Sequence, residues 1–455
     1  MECGGNDSYL TACQRRVVAG IGPDSSLWRM SGKKLWWSVS AVIGAIVVAS
    51  VATIGVATQQ HYADLSHDPA FSVADSAPVL IPADAENGVD NAALAARLDQ
   101  LVTPDLGTLH GQVTDTVTGE TVWQLNPDAP LQPASSTKIL TAAAAIHELG
   151  LADVLTTEVV TGEEPGTVVI RAAGDVWLSN EQITELAEDI GSAENVLIDT
   201  SIWSGDLLLP GWDALDVDGG YVAPLEPAML YGARIDDTEG DVPRSHTPAL
   251  DVASALAAEV GADTVAEGVA PADAEVVAST ESPSLGARIG QMLETSDNVM
   301  AEAIGREVAL HRGDLETASG AQATQATLEV LEENGFDTSR VELSDNSGLS
   351  TLNLITPSLL DDILHDAAAN DTLRPMLAGL PIAGGSGTLT DRYQDLSGRG
   401  WVRAKTGTLT STSALAGVVT AESGRVYSFA LLSNGSNVTA ARAGLDQFAS
   451  AIRES

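Results

Sequence analysis

From Leu35 to Ala57 the chain runs LWWSVSAVIGAIVVASVATIGVA, 23 residues without a charge. As a helix, a run of that length crosses a hydrocarbon core of about 30 Å. A membrane crossing here puts the residues on either side into different compartments. Arg15, Arg16, Arg29, Lys33 and Lys34 precede the run, whereas Thr58, Gln59, Gln60 and His61 follow it. The basic flank predicts that the N-terminal end stays in the cytoplasm and the large C-terminal part is exported. A cleaved signal peptide is the alternative, because Ala49, Ala52 and Ala57 offer small residues for cleavage. Signal h-regions, however, are only about 7 to 15 apolar residues long. A buried soluble helix fits the charge asymmetry less well. Met30 is an alternative start, with Ser31 to Lys34 still a basic lead into the same run.

Charge and thiols narrow what the exported part does. Lys and Arg number 22 against 63 Asp and Glu, a formal net charge of −41, which repels phosphate backbones and excludes nucleic acid as a partner. An apolar fraction of 44% is that of a folded protein, so this acidity belongs to a surface. The only cysteines, Cys3 and Cys13, precede the apolar run, leaving no disulfide or thiolate metal site beyond it. His147-Glu148 lacks the second histidine of H-E-x-x-H, so no zinc peptidase is expected, and neither metal nor cofactor is predicted. Trp36 and Trp37 suit a membrane interface.

At 455 residues there is room for two or three domains. Residues 1–34 read as a cytoplasmic segment and 35–57 as a transmembrane helix or signal anchor. Residues 58–90, rich in Ala, Asp, Pro and Ser, read as a flexible tether. Helical spacing begins at Asn91, strand-like runs follow at Thr108–Val113 and Thr121–Leu125, and a helix opens near Ser135 and ends before Gly150. Between 157 and 285 short alternating segments such as Thr167–Ala172 and Asn195–Asp199 predict an inserted β-rich domain. Helices are expected at Leu285–Thr295 and Val299–His311. Strands follow at Trp401–Ala404, Ser413–Thr420 and Arg425–Ser433, with a closing helix at Arg442–Arg453. This pattern predicts an α+β fold, an antiparallel sheet flanked by helices, with 91–156 and 286–455 as its catalytic parts.

Three short motifs carry chemistry. Ser135-Ser136-Thr137-Lys138 puts a hydroxyl and an amine three residues apart, hence on one side of a helical turn. A serine is a poor nucleophile until a base takes its proton, and a desolvated lysine is able to do so. Ser296-Asp297-Asn298 offers a second hydroxyl for proton transfer and an amide for a substrate backbone. Lys405-Thr406-Gly407-Thr408 offers an ammonium and hydroxyls for a carboxylate, with Gly407 permitting close approach. Any one of these is more often a cap or a strand end. S-x-x-K, S-D-N and K-T-G in this order are the signature of penicillin-recognising serine enzymes.

On these motifs the chain resembles the D-alanyl-D-alanine carboxypeptidase/endopeptidase family of low-molecular-mass class C penicillin-binding proteins. Landmarks of that family are also similar here: AAGDVWL at 172–178, YVAPLEPAML at 221–230, SDNVMAEAIGREVA at 296–309, DNSGLS at 345–350 and LPIAGGSGTL at 380–389. The resemblance covers about 91–455 and implies the penicillin-binding-protein/β-lactamase-like transpeptidase fold. It makes Ser135 the acylated nucleophile, Lys138 its base, Ser296 the relay to the leaving D-alanine and Asn298 the holder of the substrate amide. Lys405, Thr406 and Thr408 would receive the terminal carboxylate, the backbone N–H groups of Ser135 and Thr408 would form the oxyanion hole, and Leu409 would line the pocket. Peptidoglycan stem peptides are the implied substrates and β-lactams the implied inhibitors. Endopeptidase cleavage of cross-links, β-lactam hydrolysis and a silent wall-binding scaffold are the competing readings. The 161 residues from Ser135 to Ser296 argue against a class A β-lactamase. Two departures stand out: the insert is shorter than in family members with two nested domains, and Glu226-Pro227 replaces small polar residues.

Overall fold

The computed structural model describes residues 32–63, 90–313 and 315–455. Cys3, Cys13, most of the expected cytoplasmic segment and the tether from 64 to 89 lie outside the described residues. Gly32–Ala63 is one α-helix, of which Val39–Gln59 is long and apolar enough to cross a membrane. Its side chains at Val39, Ile46, Val51 and Ile54 are exposed. The Ser50 and Thr58 hydroxyls donate back to the Ile46 and Ile54 carbonyls at 2.8 and 2.5 Å, which satisfies polar groups that hydrocarbon would leave unpaired. The helix runs through Ala63, into what composition predicts as tether, because neither Gly nor Pro occurs between 58 and 63.

From Asp90 onward a second unit is organised around an antiparallel sheet of five strands. Their order is Val402–Leu409, Thr412–Thr420, Val426–Asn434, Thr108–Asp115 and Thr121–Leu125. The C-terminal meander therefore closes on the N-terminal hairpin, with Thr108 opposite Asn434 and Asp115 opposite Tyr427. Side chains alternate between two packed faces. Leu415, Val419, Phe429 and Leu431 meet Leu94, Leu98 and Phe448, which come from helices Asn91–Leu101 and Val438–Arg453. Ala414, Ala416, Ala430 and Leu432 face Ile139, Leu140 and Ile363 of helices Lys138–Glu148 and Pro357–Ala369. Ala142 to Ala145 are fully buried, and small side chains on both surfaces let that first helix lie close to its neighbours.

A second five-stranded sheet is ordered Val276–Glu281, Thr156–Thr161, Thr167–Arg171, Asn195–Asp199 and Thr264–Glu267. Its first two pairings are antiparallel and its last two parallel. Parallel neighbours need crossovers, and helices Asn180–Ile190 and Pro248–Val260 supply them. Helices thus accompany the strands where alternation alone predicted β structure. The first has a Ser179/Gln182 capping box. The second has no side-chain cap from Thr247; instead Glu226 Oε2 accepts the Ala249 N–H at 2.7 Å, which gives the unusual Glu226 a physical role.

Candidate active site

Pro133-Ala134 turns the chain into a short 3₁₀ segment, Ala134–Thr137, that leads directly into the helix from Lys138. On that turn the Lys138 ammonium nitrogen lies 3.1 Å from Ser135 Oγ. The same nitrogen donates to Asn298 Oδ1 at 2.6 Å and to the Ser347 carbonyl at 2.6 Å. Lys138 is fully buried, and its burial lowers the pKa to about 8 against the opposing charges of Asp345, Asp297 and Glu302. A hydroxyl therefore sits beside an amine that is easily made neutral.

The Ser347 carbonyl is held in place from below. Residues 345–350 form a buried loop in which Asp345 accepts the N–H groups of Gly348 and Ser350 at 2.7 and 2.6 Å. Glu302 Oε1 accepts those of Asn346 and Ser347 at 2.9 and 2.8 Å. Burial, with Asp345 adding to it and Arg306 opposing, pushes the Glu302 carboxyl up to about 8. Gly348 has φ +83°, and a Cβ there would meet the Ala134 carbonyl oxygen at 1.9 Å, so only glycine lets this loop touch the turn bearing Ser135.

Ser296 ends helix Leu285–Thr295 in the left-handed region at φ 64°. A non-glycine residue held there marks an over-determined site. Its hydroxyl receives the Lys405 ammonium at 2.8 Å. Lys405 is fully buried, and burial together with the charge of Lys138 depresses its pKa well below the ordinary value. Asp297, the middle residue of the motif, points away and accepts the Met300 N–H at 2.8 Å. It also pairs with Arg234 at 2.9 Å and Arg244 at 3.3 Å. Burial opposes its ionisation, but Arg244 and Arg234 hold the carboxyl below the usual range. Asn298 Nδ2 donates to the Tyr221 carbonyl at 3.0 Å.

The strand Val402–Leu409 closes the site. A Cβ at Gly407 would meet the Pro133 carbonyl oxygen at 2.6 Å, so the strand backbone passes against the Ser135 turn. Ser135, Ser296, Asn298, Thr406, Thr408 and Leu409 line a cavity of about 390 Å³. Lys138, Lys405 and Gly407 stand behind that lining. Thr388 and Thr406 share a hydroxyl hydrogen bond at 2.8 Å, and Arg442 donates to Thr408 Oγ1 at 2.7 Å. Thr388, Arg234, Arg244, Glu302 and Arg442 were not assigned to the site from sequence. LPIAGGSGTL and SDNVMAEAIGREVA contain the first and fourth, but nothing local to the three arginines shows where they fold.

A family model described as D-Ala-D-Ala carboxypeptidase 3 (S13) matches residues 91–262 and 237–454. The chain belongs to the D-Ala-D-Ala carboxypeptidase 3 (S13) family. It is 40% identical over 449 residues to carboxypeptidase DacB of Mycolicibacterium smegmatis, covering 91% of this chain and 96% of that one. A carboxypeptidase of Mycobacterium tuberculosis is 43% identical over 357 residues, 73% of this chain and 77% of the relative. Among solved structures, penicillin binding protein 4 of Haemophilus influenzae superposes with a TM-score of 0.66 at 21% identity, over 80% of this chain and 98% of its own. That likeness is one of fold: the penicillin-binding architecture expected of the S13 family is present here.

Proposed function

We propose that this S13 family member is a serine-type D-Ala-D-Ala carboxypeptidase that trims peptidoglycan stem peptides through an acyl-enzyme on Ser135. The observation that carries this reading is the 3.1 Å contact between Ser135 Oγ and the buried, easily deprotonated Lys138. Neutral Lys138 takes the hydroxyl proton as Oγ attacks the carbonyl carbon of the penultimate D-alanine. The backbone N–H groups of Ser135 and Thr408 stabilise the oxyanion. Ser296, already bonded to Lys405, passes a proton to the departing amine of the terminal D-alanine, and water then hydrolyses the ester. Asn298 has one amide hydrogen on Tyr221 and a second free for a substrate carbonyl. Lys405, Thr406 and Thr408 receive the terminal carboxylate, while Leu409 walls the pocket. A β-lactam, an acyl donor that also carries a carboxylate, acylates the same serine.

Residues 157–285 serve as an inserted domain between the catalytic parts 91–156 and 286–455. The mixed sheet formed almost entirely within that span supports this division. The apolar N-terminal helix anchors the protein with its catalytic part outside the cell, where the stem peptides are; the basic residues before that helix support the orientation.

The test is release of D-alanine from a pentapeptide ending in D-Ala-D-Ala by the full chain in detergent. The wild type should release one equivalent per peptide, and Ser135→Ala should lose that activity by at least about a thousandfold. Cleavage confined to cross-linked peptides would instead make the enzyme an endopeptidase.

A further inference from the structure

The guanidinium of Arg442 sits at the mouth of the cavity, on the closing helix Val438–Arg453, and donates through Nη2 to Thr408 Oγ1 at 2.7 Å. Four arginines line this cavity, and three have their charge engaged. Arg234 and Arg244 pair with Asp297, and Arg392 grips Asp446 at 2.6 and 3.0 Å. Among the described residues Arg442 makes no ion pair. Asp241 and Asp391 also line the cavity, but both are exposed and neither forms an ion pair with Arg442. Arg442 therefore presents a cation with no direct ion-pair partner among the described residues, Asp446 acting on it only from beyond ion-pair distance and Arg392 opposing that charge, with most of its five N–H donors free beside a threonine hydroxyl.

We infer that Arg442 is a substrate-binding residue that, with Thr406 and Thr408, anchors the C-terminal carboxylate of the peptide and the carboxylate of a β-lactam. This rests on the proposed role of that threonine pair. Lys405 still has one N–H donor to offer that carboxylate, but a permanent charge beside the threonine pair has to come from elsewhere. Ser296 Oγ and the Thr406 carbonyl take two of the three Lys405 donors, and burial beside Lys138 disfavours its charged form. A guanidinium keeps its charge and offers a planar fork that matches a carboxylate. Thr408 Oγ1 holds that fork at the strand end, and the Arg442 carbonyl accepts from Arg392 Nη2 at 3.4 Å.

The experiment compares acylation of the full chain by benzylpenicillin and by its methyl ester, which lacks the negative charge. Intact mass follows wild type, Arg442→Ala and Arg442→Lys over time. Arg442→Ala should slow acylation by the acid about tenfold to a hundredfold, the range of a charge-assisted hydrogen bond, and Arg442→Lys should fall between. Acylation by the ester should differ between wild type and Arg442→Ala by no more than about twofold. An equal loss with acid and ester would overturn the proposal and leave Arg442 as a prop for Thr408; so would an unchanged rate with the acid. Absence of any adduct on wild-type Ser135 would instead count against the nucleophile assignment itself.

Discussion

At the scale of single residues, the site turns on a lysine that must be buried to be neutral near pH 7, and so free to take a proton, and yet stay within reach of its serine. In water its pKa is 10.5, and at pH 7 only about one molecule in several thousand would carry the neutral amine. Burial brings the value to about 8, which raises the neutral fraction at pH 7 to about one in ten. Asp345, Asp297 and Glu302 limit the drop, so the amine is poised rather than simply discharged. In the proposed mechanism the reactive form is the deprotonated one. The rate of Ser135 acylation should therefore rise about tenfold per pH unit below 8 and level off above it. Stopped-flow acylation between pH 6 and 10 measures this directly; a flat profile across pH 6 to 9 would mean that Lys138 is not the titrating base.

At the scale of elements, the second motif depends on a part of the chain that contributes no reacting atom. Arg234 and Arg244 reach across to Asp297, whose side chain is completely buried, and Asp297 in turn starts the helix bearing Asn298. Removing one partner leaves a buried carboxylate half-compensated, and breaking such pairs costs about 3 to 5 kcal/mol. Arg244→Ala should lower the unfolding free energy by about that amount, read from urea denaturation, and slow acylation by displacing Asn298. A change under about 1 kcal/mol would show that Arg234 alone suffices.

The same elements explain what was legible in the sequence. Strands at Thr121–Leu125 and Asn195–Asp199 and the helix Leu285–Thr295 follow from local periodicity and turn residues, and the structure has them at those boundaries. Helices Gly320–Glu333 and Pro357–Ala369 are not among the elements expected from the sequence, although the Ser319/Gln322 capping box and Thr356-Pro357 mark their starts. Ser135, Lys138, Ser296, Asn298 and Lys405 were legible because each belongs to a short motif of fixed spacing. Arg442 was not, because it reaches Thr408 only through the packing of the last helix on the sheet.

At the scale of the whole molecule, an N-terminal helix long enough to span a membrane precedes a thiol-free, strongly acidic body. That combination is compatible with the membrane anchoring proposed above: an acidic surface repels anionic lipid, while one cavity gathers four arginines. The first and last strands of the catalytic sheet pair directly, Thr108–Asp115 with Val426–Asn434, so the sheet closes only once the chain has been made through Asn434. The central claim, that this architecture exists to make Ser135 an acyl acceptor, has a direct test. The full chain in detergent is incubated with benzylpenicillin, its intact mass is recorded, and the modified peptide is located by fragmentation. The account predicts one penicilloyl group per chain, on Ser135, absent from Ser135→Ala. An adduct on another residue, or an unmodified wild-type chain with the drug still intact, would contradict it.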